Sequence, residues 1–198
     1  MVKDRPSPPS IKPQTWFATL VMIVDKYLLF CGLLVAIVGA VEDVRCARIP
    51  NWLTYSSLAA AIAIRGGALG WAALIDGMFG TVVLGGGIFI FFFLRAMGGG
   101  DLKLAAALGA WVGGAHALPL LLSAFMAGGV LAIASIIFRG DVLRTLLNTV
   151  ELIGHHLCWG LVPHPVLNID EPRTMRIPFG LAIAVGALYC VSSTFWWR

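Results

Sequence analysis

The feature that most constrains this chain is a succession of apolar stretches, each about as long as a bilayer is thick and closed off by isolated charges. A helix rises 1.5 Å per residue, so crossing the hydrocarbon core takes about 17–25 residues. The sequence supplies such stretches at 27–43, 51–69, 72–95, 101–118, 119–138 and 177–197. The second is interrupted by Arg65 and Gly66-Gly67, the fourth is rich in Gly and Ala, and Pro119 suits a turn between the fourth and fifth. Only 12% of residues are charged, and 59% are hydrophobic. A soluble domain carries about 25% charged residues, so this chain lacks the polar groups to cover a globular surface. The expected fold is an all-α, polytopic membrane protein of about six transmembrane helices. The 198 residues leave no room for a second folded domain.

Residues 1–15 hold four of the ten prolines and read as a tail; Trp16 to Ile23 is apolar but ends at Asp25 and Lys26, as an interfacial segment would. The expected division is therefore a tail and interfacial segment over 1–26 and a transmembrane domain over 27–198. A cleavable signal peptide, with its basic start and immediate apolar core, is not the pattern seen. Small residues cluster at 85–87 and 128–129, where helix backbones in lipid approach closely.

The formal net charge is +4, but the basic residues stand singly at the ends of apolar stretches, where they reach headgroups and set orientation. With neither a basic stripe nor a recognition motif, nucleic acid is not an expected partner. If the first, third and fifth loops are cytoplasmic, they and their helix ends carry Arg45, Arg48, Arg95, Lys103, Arg139, Arg144, Arg173 and Arg176. The other side carries Arg65, Arg198, Lys3, Arg5, Lys12 and Lys26, which favours both termini outside. In the fifth loop, apolar residues from Val142 to Leu157 recur at helical spacing, as in an amphipathic helix lying on the cytoplasmic surface. His155, His156 and His164 near its end come without an HExxH pattern, and no metal site is expected. Cys31, Cys46, Cys158 and Cys190 form no CxxC pair and read as structural filler.

Carboxylates beside membrane spans need an explanation, because an ionised one costs roughly 2.5–3.5 kcal/mol at the centre. Asp25 reads as solvated beside Lys26, and Asp76 as a helix cap or a polar group facing another helix. Asp43 closes the first stretch and Asp101 opens the fourth, so both fall on one side of the membrane. Asp101 follows Gly98-Gly99-Gly100, a loop whose bare backbone admits an extended peptide. Like charges a few ångströms apart do not both ionise, so a pair of aspartates shares one proton. The ionised member then takes a proton from water while the other polarises a scissile carbonyl. Taken alone, Asp101 would equally suit a helix cap.

Gly98-Gly99-Gly100-Asp101-Leu102-Lys103-Leu104 matches the GxGDxKL pattern of the GxGD aspartyl intramembrane proteases in its prepilin-peptidase form. Asp43 to Asn51, with Ile49-Pro50-Asn51, is similar to that family's first aspartate motif, and Ile177-Pro178-Phe179-Gly180 resembles the entry to its final helix. The short chain is similar to the peptidases of tight-adherence (Flp) pilus systems. The resemblance implies an inner-membrane endopeptidase that removes short basic leaders from prepilins at the cytoplasmic face. Asp43 and Asp101 would be its catalytic pair, with no cofactor. Gly98 and Gly100 would shape the loop, Lys103 would hold a headgroup or a substrate carboxylate or simply snorkel, and Pro50 and Asn51 would start the second helix. Pro178 and Gly180 would belong to the site through the final helix. Implied partners are prepilins, the bilayer and the pilus assembly machinery. Long members N-methylate the new terminus and carry a domain with two CxxC pairs; without those cysteines, methylation is not expected here. Two other readings stay open: a small transporter using Asp43, Asp76 and Asp101 as pathway groups, and a noncatalytic secretion scaffold.

Overall fold

A computed structural model describes residues 13–94, 96–139, 150, 151, 154 and 178–196. The described residues are helical, with no strand among them. The elements are α1 (Pro13–Cys46), α2 (Asn51–Ala63), α3 (Trp71–Phe93), α4 (Gly99–Arg139) and α5 (Phe179–Trp196); one π-helical turn, Ile64–Ala68, continues α2. Four stretches are long and apolar enough to cross a membrane: Ile23–Cys46, Trp71–Phe93, Gly99–Phe138 and Phe179–Trp196. Large apolar side chains such as Phe79, Val82, Phe89 and Phe93 on α3 are exposed, as a lipid-facing surface requires. Leu84, Ile88, Leu104, Leu108, Leu120 and Ile183 form the fully buried centre.

Where six crossings were expected, the four long helices differ for two reasons. The 51–69 stretch is a 13-residue α-helix followed by the π turn, and it is not among the four. The fourth and fifth stretches follow one another as the two halves of α4, whose break lies at Gly113 (φ 73°, ψ 177°) and not at Pro119. Contacts along α3 show what the break does. The first half descends α3, with Ala106 against Gly85 and Gly99 against Phe92. The second half climbs back, with Leu121 against Gly87 and Phe125 stacked on Phe91. The chain therefore reverses at Gly113. That conformation suits glycine, since the φ is left-handed and a Cβ would run into the Asp76 carboxylate. Pro119 lies within the returning half, where Ser123 Oγ donates to its carbonyl at 2.8 Å.

A reversal strands backbone groups on both sides of the break, each costly when buried without a partner. Arg65 and Asp76 supply those partners. Arg65 Nη2 donates to the Trp111 carbonyl at 2.9 Å, capping the first half, and Gly114 N–H donates to Asp76 Oδ1 at 3.0 Å, capping the second. The two side chains pair at 3.0 Å, and Arg65 Nη1 also donates to the Ala73 carbonyl at 3.0 Å. Arg65, read from sequence as an interruption, is 3% exposed and ties the π turn, α3 and α4 together. Asp76 is thus both the cap and the inter-helix polar group that sequence left as alternatives.

The first helix also begins earlier than the expected 27–43 stretch: α1 runs unbroken from Pro13 through Asp25 and Lys26. Lys26 Nζ lies 4.8 Å from the Phe195 ring centroid on α5, and Cys46 is exposed at the end of α1. The expected amphipathic helix over 142–157 falls almost wholly outside the described residues, as do His155, His156, His164, Cys158 and Ile177.

Candidate active site

Asp43 sits in the last turn of α1, four residues before the chain leaves the helix at Ala47. Asp101 is the third residue of α4. Because α1 runs antiparallel to the first half of α4, with Gly32 against Trp111 and Gly39 against Leu104, these two helix ends meet. Asp43, residues 47–49 and residues 98–101 line one cavity of about 260 Å³. The two carboxylates are close enough to interact electrostatically.

Each acid sits at a helix N-terminus. Asp43 Oδ2 accepts from Gly180 N–H at 2.8 Å, so it caps the N-terminus of α5 from 137 residues away in sequence. The fit leaves no space for a side chain: a Cβ at residue 180 would stand 2.9 Å from Asp43 Oδ2 and 3.0 Å from its Cβ. Asp101 lies back toward Gly98, the residue just before α4, where a Cβ would stand 3.4 Å from Asp101 Oδ2. That is the place from which a third helical residue can reach the N-cap amide, as in a capping box. Such a cap would occupy only part of the carboxylate. Two oxygens offer about four acceptor positions, leaving capacity for a further partner in the cavity.

The wall between the acids is the α1–α2 connection. Ala47 adopts φ 50°, the only positive φ on a non-glycine among the described residues, and its N–H donates to the Asp43 carbonyl at 2.9 Å. Ile49 is buried against Gly100, where a Cβ would lie 3.2 Å from that of Ile49. Pro50 is the N-cap of α2, with extended φ and ψ and no side-chain capping bond. Asn51, the first residue of α2, accepts from Lys103 Nζ at 2.9 Å. Pro178 precedes α5, its carbonyl accepting from Leu181 N–H at 3.2 Å.

Of the residues singled out from sequence, Asp43, Asp101, Gly98 and Gly100 line the cavity, and Gly180 touches Asp43 directly. Lys103, Pro50, Asn51 and Pro178 do not line it. Asp76 lies at the far end of α3 with Arg65. Ala47, Arg48 and Ile49, which fall inside the first aspartate motif but were not among the expected site residues, also line the cavity. That wall begins at the left-handed turn of Ala47, which alanine does not advertise.

A family model described as the type IV leader peptidase family matches residues 28–133. The chain belongs to the type IV leader peptidase family. Membership makes it a peptidase, and its long apolar helices make it a membrane protein. The matched region spans both cavity-lining aspartates and ends before α5, so the helix that binds Asp43 comes from outside it. No curated protein and no solved structure matches the chain.

Proposed function

We propose that this leader peptidase family member is an aspartyl endopeptidase of the cytoplasmic membrane. It removes the short basic leader from Flp-type prepilins, with Asp43 and Asp101 as the proton-transferring pair. The observation that carries the reading is the meeting of two carboxylates, from helices 58 residues apart in sequence (101 − 43), around one cavity. Their glycine-lined rim leaves room for an extended peptide backbone.

In this reading one carboxyl is protonated and one ionised when substrate binds. The ionised one takes a proton from a water lying between the pair, and the water oxygen bonds to the scissile carbonyl carbon. The protonated carboxyl gives its proton to the carbonyl oxygen. As the tetrahedral centre collapses, the C–N bond breaks, the carboxyl that took the water's proton gives it to the departing amine, and one hydroxyl of the centre returns its proton to the other carboxylate. The rival pathway reading loses support because Asp76, its third carboxylate, is engaged by Arg65 and Gly114 N–H. The active site faces the cytoplasm, where the leader lies before export.

The test is co-expression with a Flp-type prepilin, following leader loss on a gel. Conversion to the shorter form by the unaltered protein, and none by Asp43→Asn or Asp101→Asn at matched membrane levels, is the expected result. An unprocessed prepilin with the unaltered protein overturns the reading.

A further inference from the structure

The cavity wall formed by residues 47–49 rests on Ile49 against Gly100 and on the bond from Ala47 N–H to the Asp43 carbonyl. Ala47 is in a left-handed conformation, and the N-cap of α2 makes no side-chain bond. The clearest polar tie on the start of α2 comes from α4. Lys103 lies two residues beyond Asp101, about 200° around the helix at 100° per residue, so it points away from the cavity side. Its Nζ donates to Asn51 Oδ1 at 2.9 Å and lies 5.4 Å from the centroid of the Tyr55 ring. Asn51 and Tyr55 are one turn apart on α2, and Asn51 directly follows the Ile49-Pro50 segment. The ammonium is thus seated between a neutral amide and a π face, an arrangement that fixes a cation in place.

We propose that Lys103 is a positioning residue. By clasping Asn51 and Tyr55, it docks the start of α2 on α4 and holds the 47–49 wall, and with it Asp43, in register with Asp101. The clasp connects α2 to the Asp101-bearing helix α4 on the side away from the cavity, and the Ile49–Gly100 contact joins the α1–α2 connection to α4 beside it. It replaces the alternatives of a substrate carboxylate or a phosphate headgroup as the main role of this lysine. The inference rests on the peptidase reading above.

The experiment combines steady-state cleavage of a purified prepilin with thermal unfolding in detergent. The proteins are unaltered enzyme, Lys103→Met, Asn51→Ala, the double variant and Lys103→Arg. Misplacing a reacting group by about 1 Å costs roughly 100-fold, so Lys103→Met is expected to lower kcat by about 10- to 100-fold with KM changed less than about twofold. Asn51→Ala, a milder change at an exposed helix start, is expected to move kcat the same way by a smaller factor. The double variant is expected to be no worse than Lys103→Met in both rate and melting temperature, since both substitutions remove one contact. Lys103→Arg, which still donates and stacks, is expected to recover most of the rate. A raised KM with unchanged kcat, or additive losses in the double variant, overturns the proposal in favour of direct contact with substrate or lipid. So does normal cleavage by both single variants. No cleavage by the unaltered enzyme defeats the peptidase reading itself, whereas normal cleavage there with uncoupled variants defeats only the clasp.

Discussion

Replacing Gly180 by alanine tests how far Asp43 depends on the final helix. The new Cβ would stand 2.9 Å from Asp43 Oδ2, 3.0 Å from its Cβ and 3.3 Å from its Cγ. Carbon atoms in contact settle at about 3.5–4.0 Å, so Asp43 or α5 must yield by about 0.5–1 Å. Such a shift strains or breaks the 2.8 Å bond from Gly180 N–H, and a bond to a charged acceptor is worth about 1.5–3 kcal/mol. A carboxylate displaced by about 1 Å loses roughly 100-fold in rate. The expected outcome is a 10- to 100-fold slower loss of leader by Gly180→Ala at matched membrane levels, measured by pulse-chase with a co-expressed prepilin. Gly186→Ala is the control. Its Cβ would meet Ala124 N, Leu120 O and Ser123 Oγ at 3.0 Å each, crowding the same helix against α4 but not touching Asp43. Cleavage by Gly180→Ala at the unaltered rate would refute the reasoning, as would an equal loss in Gly186→Ala.

The remaining predictions are simpler. Asp43→Asn and Asp101→Asn are each expected to lose at least about 100-fold in cleavage, the lower end of what acid–base catalysis contributes; a rate within tenfold of normal in either removes that residue from the pair. Glu42 adjoins Asp43 but projects about 100° away on the helix and does not line the cavity, so Glu42→Gln should keep most activity. Asp76→Leu leaves the buried Arg65 unpaired and Gly114 N–H uncapped, and should cost about 3–5 kcal/mol of stability. Arg65→Met leaves only a half-exposed carboxylate and should cost less, with melting temperatures in detergent deciding the order. Reporter fusions in the connections after Asp43 and before Asp101 should read the same, cytoplasmic, side; opposite readings exclude a shared site.

The length and spacing of the apolar stretches were enough to determine that the chain is helical and membrane-embedded, because a bilayer imposes one length scale on every crossing. The aspartate motifs marked Asp43 and Asp101 as residues of interest, and the glycines before Asp101 marked a bare backbone, since these are properties of local sequence. Tertiary structure decided the rest. Pro119 advertised a turn, yet the reversal is at Gly113, because it needs a left-handed φ and partners for the stranded backbone groups, and Arg65 and Asp76 supply those only in the folded chain. Arg65 looked like an interruption, and Asp76 like a cap or an inter-helix polar group with no named partner, because their pairing joins separate helices. Gly180 carried a motif but no hint of its partner, 137 residues away. Lys103 was a lysine with three possible uses until α2 packed on α4 and brought Asn51 and Tyr55 to it. Local pattern sets which segments enter the membrane. Which side chains then complete one another depends on helix direction and close approach, quantities that exist only once the helices have packed.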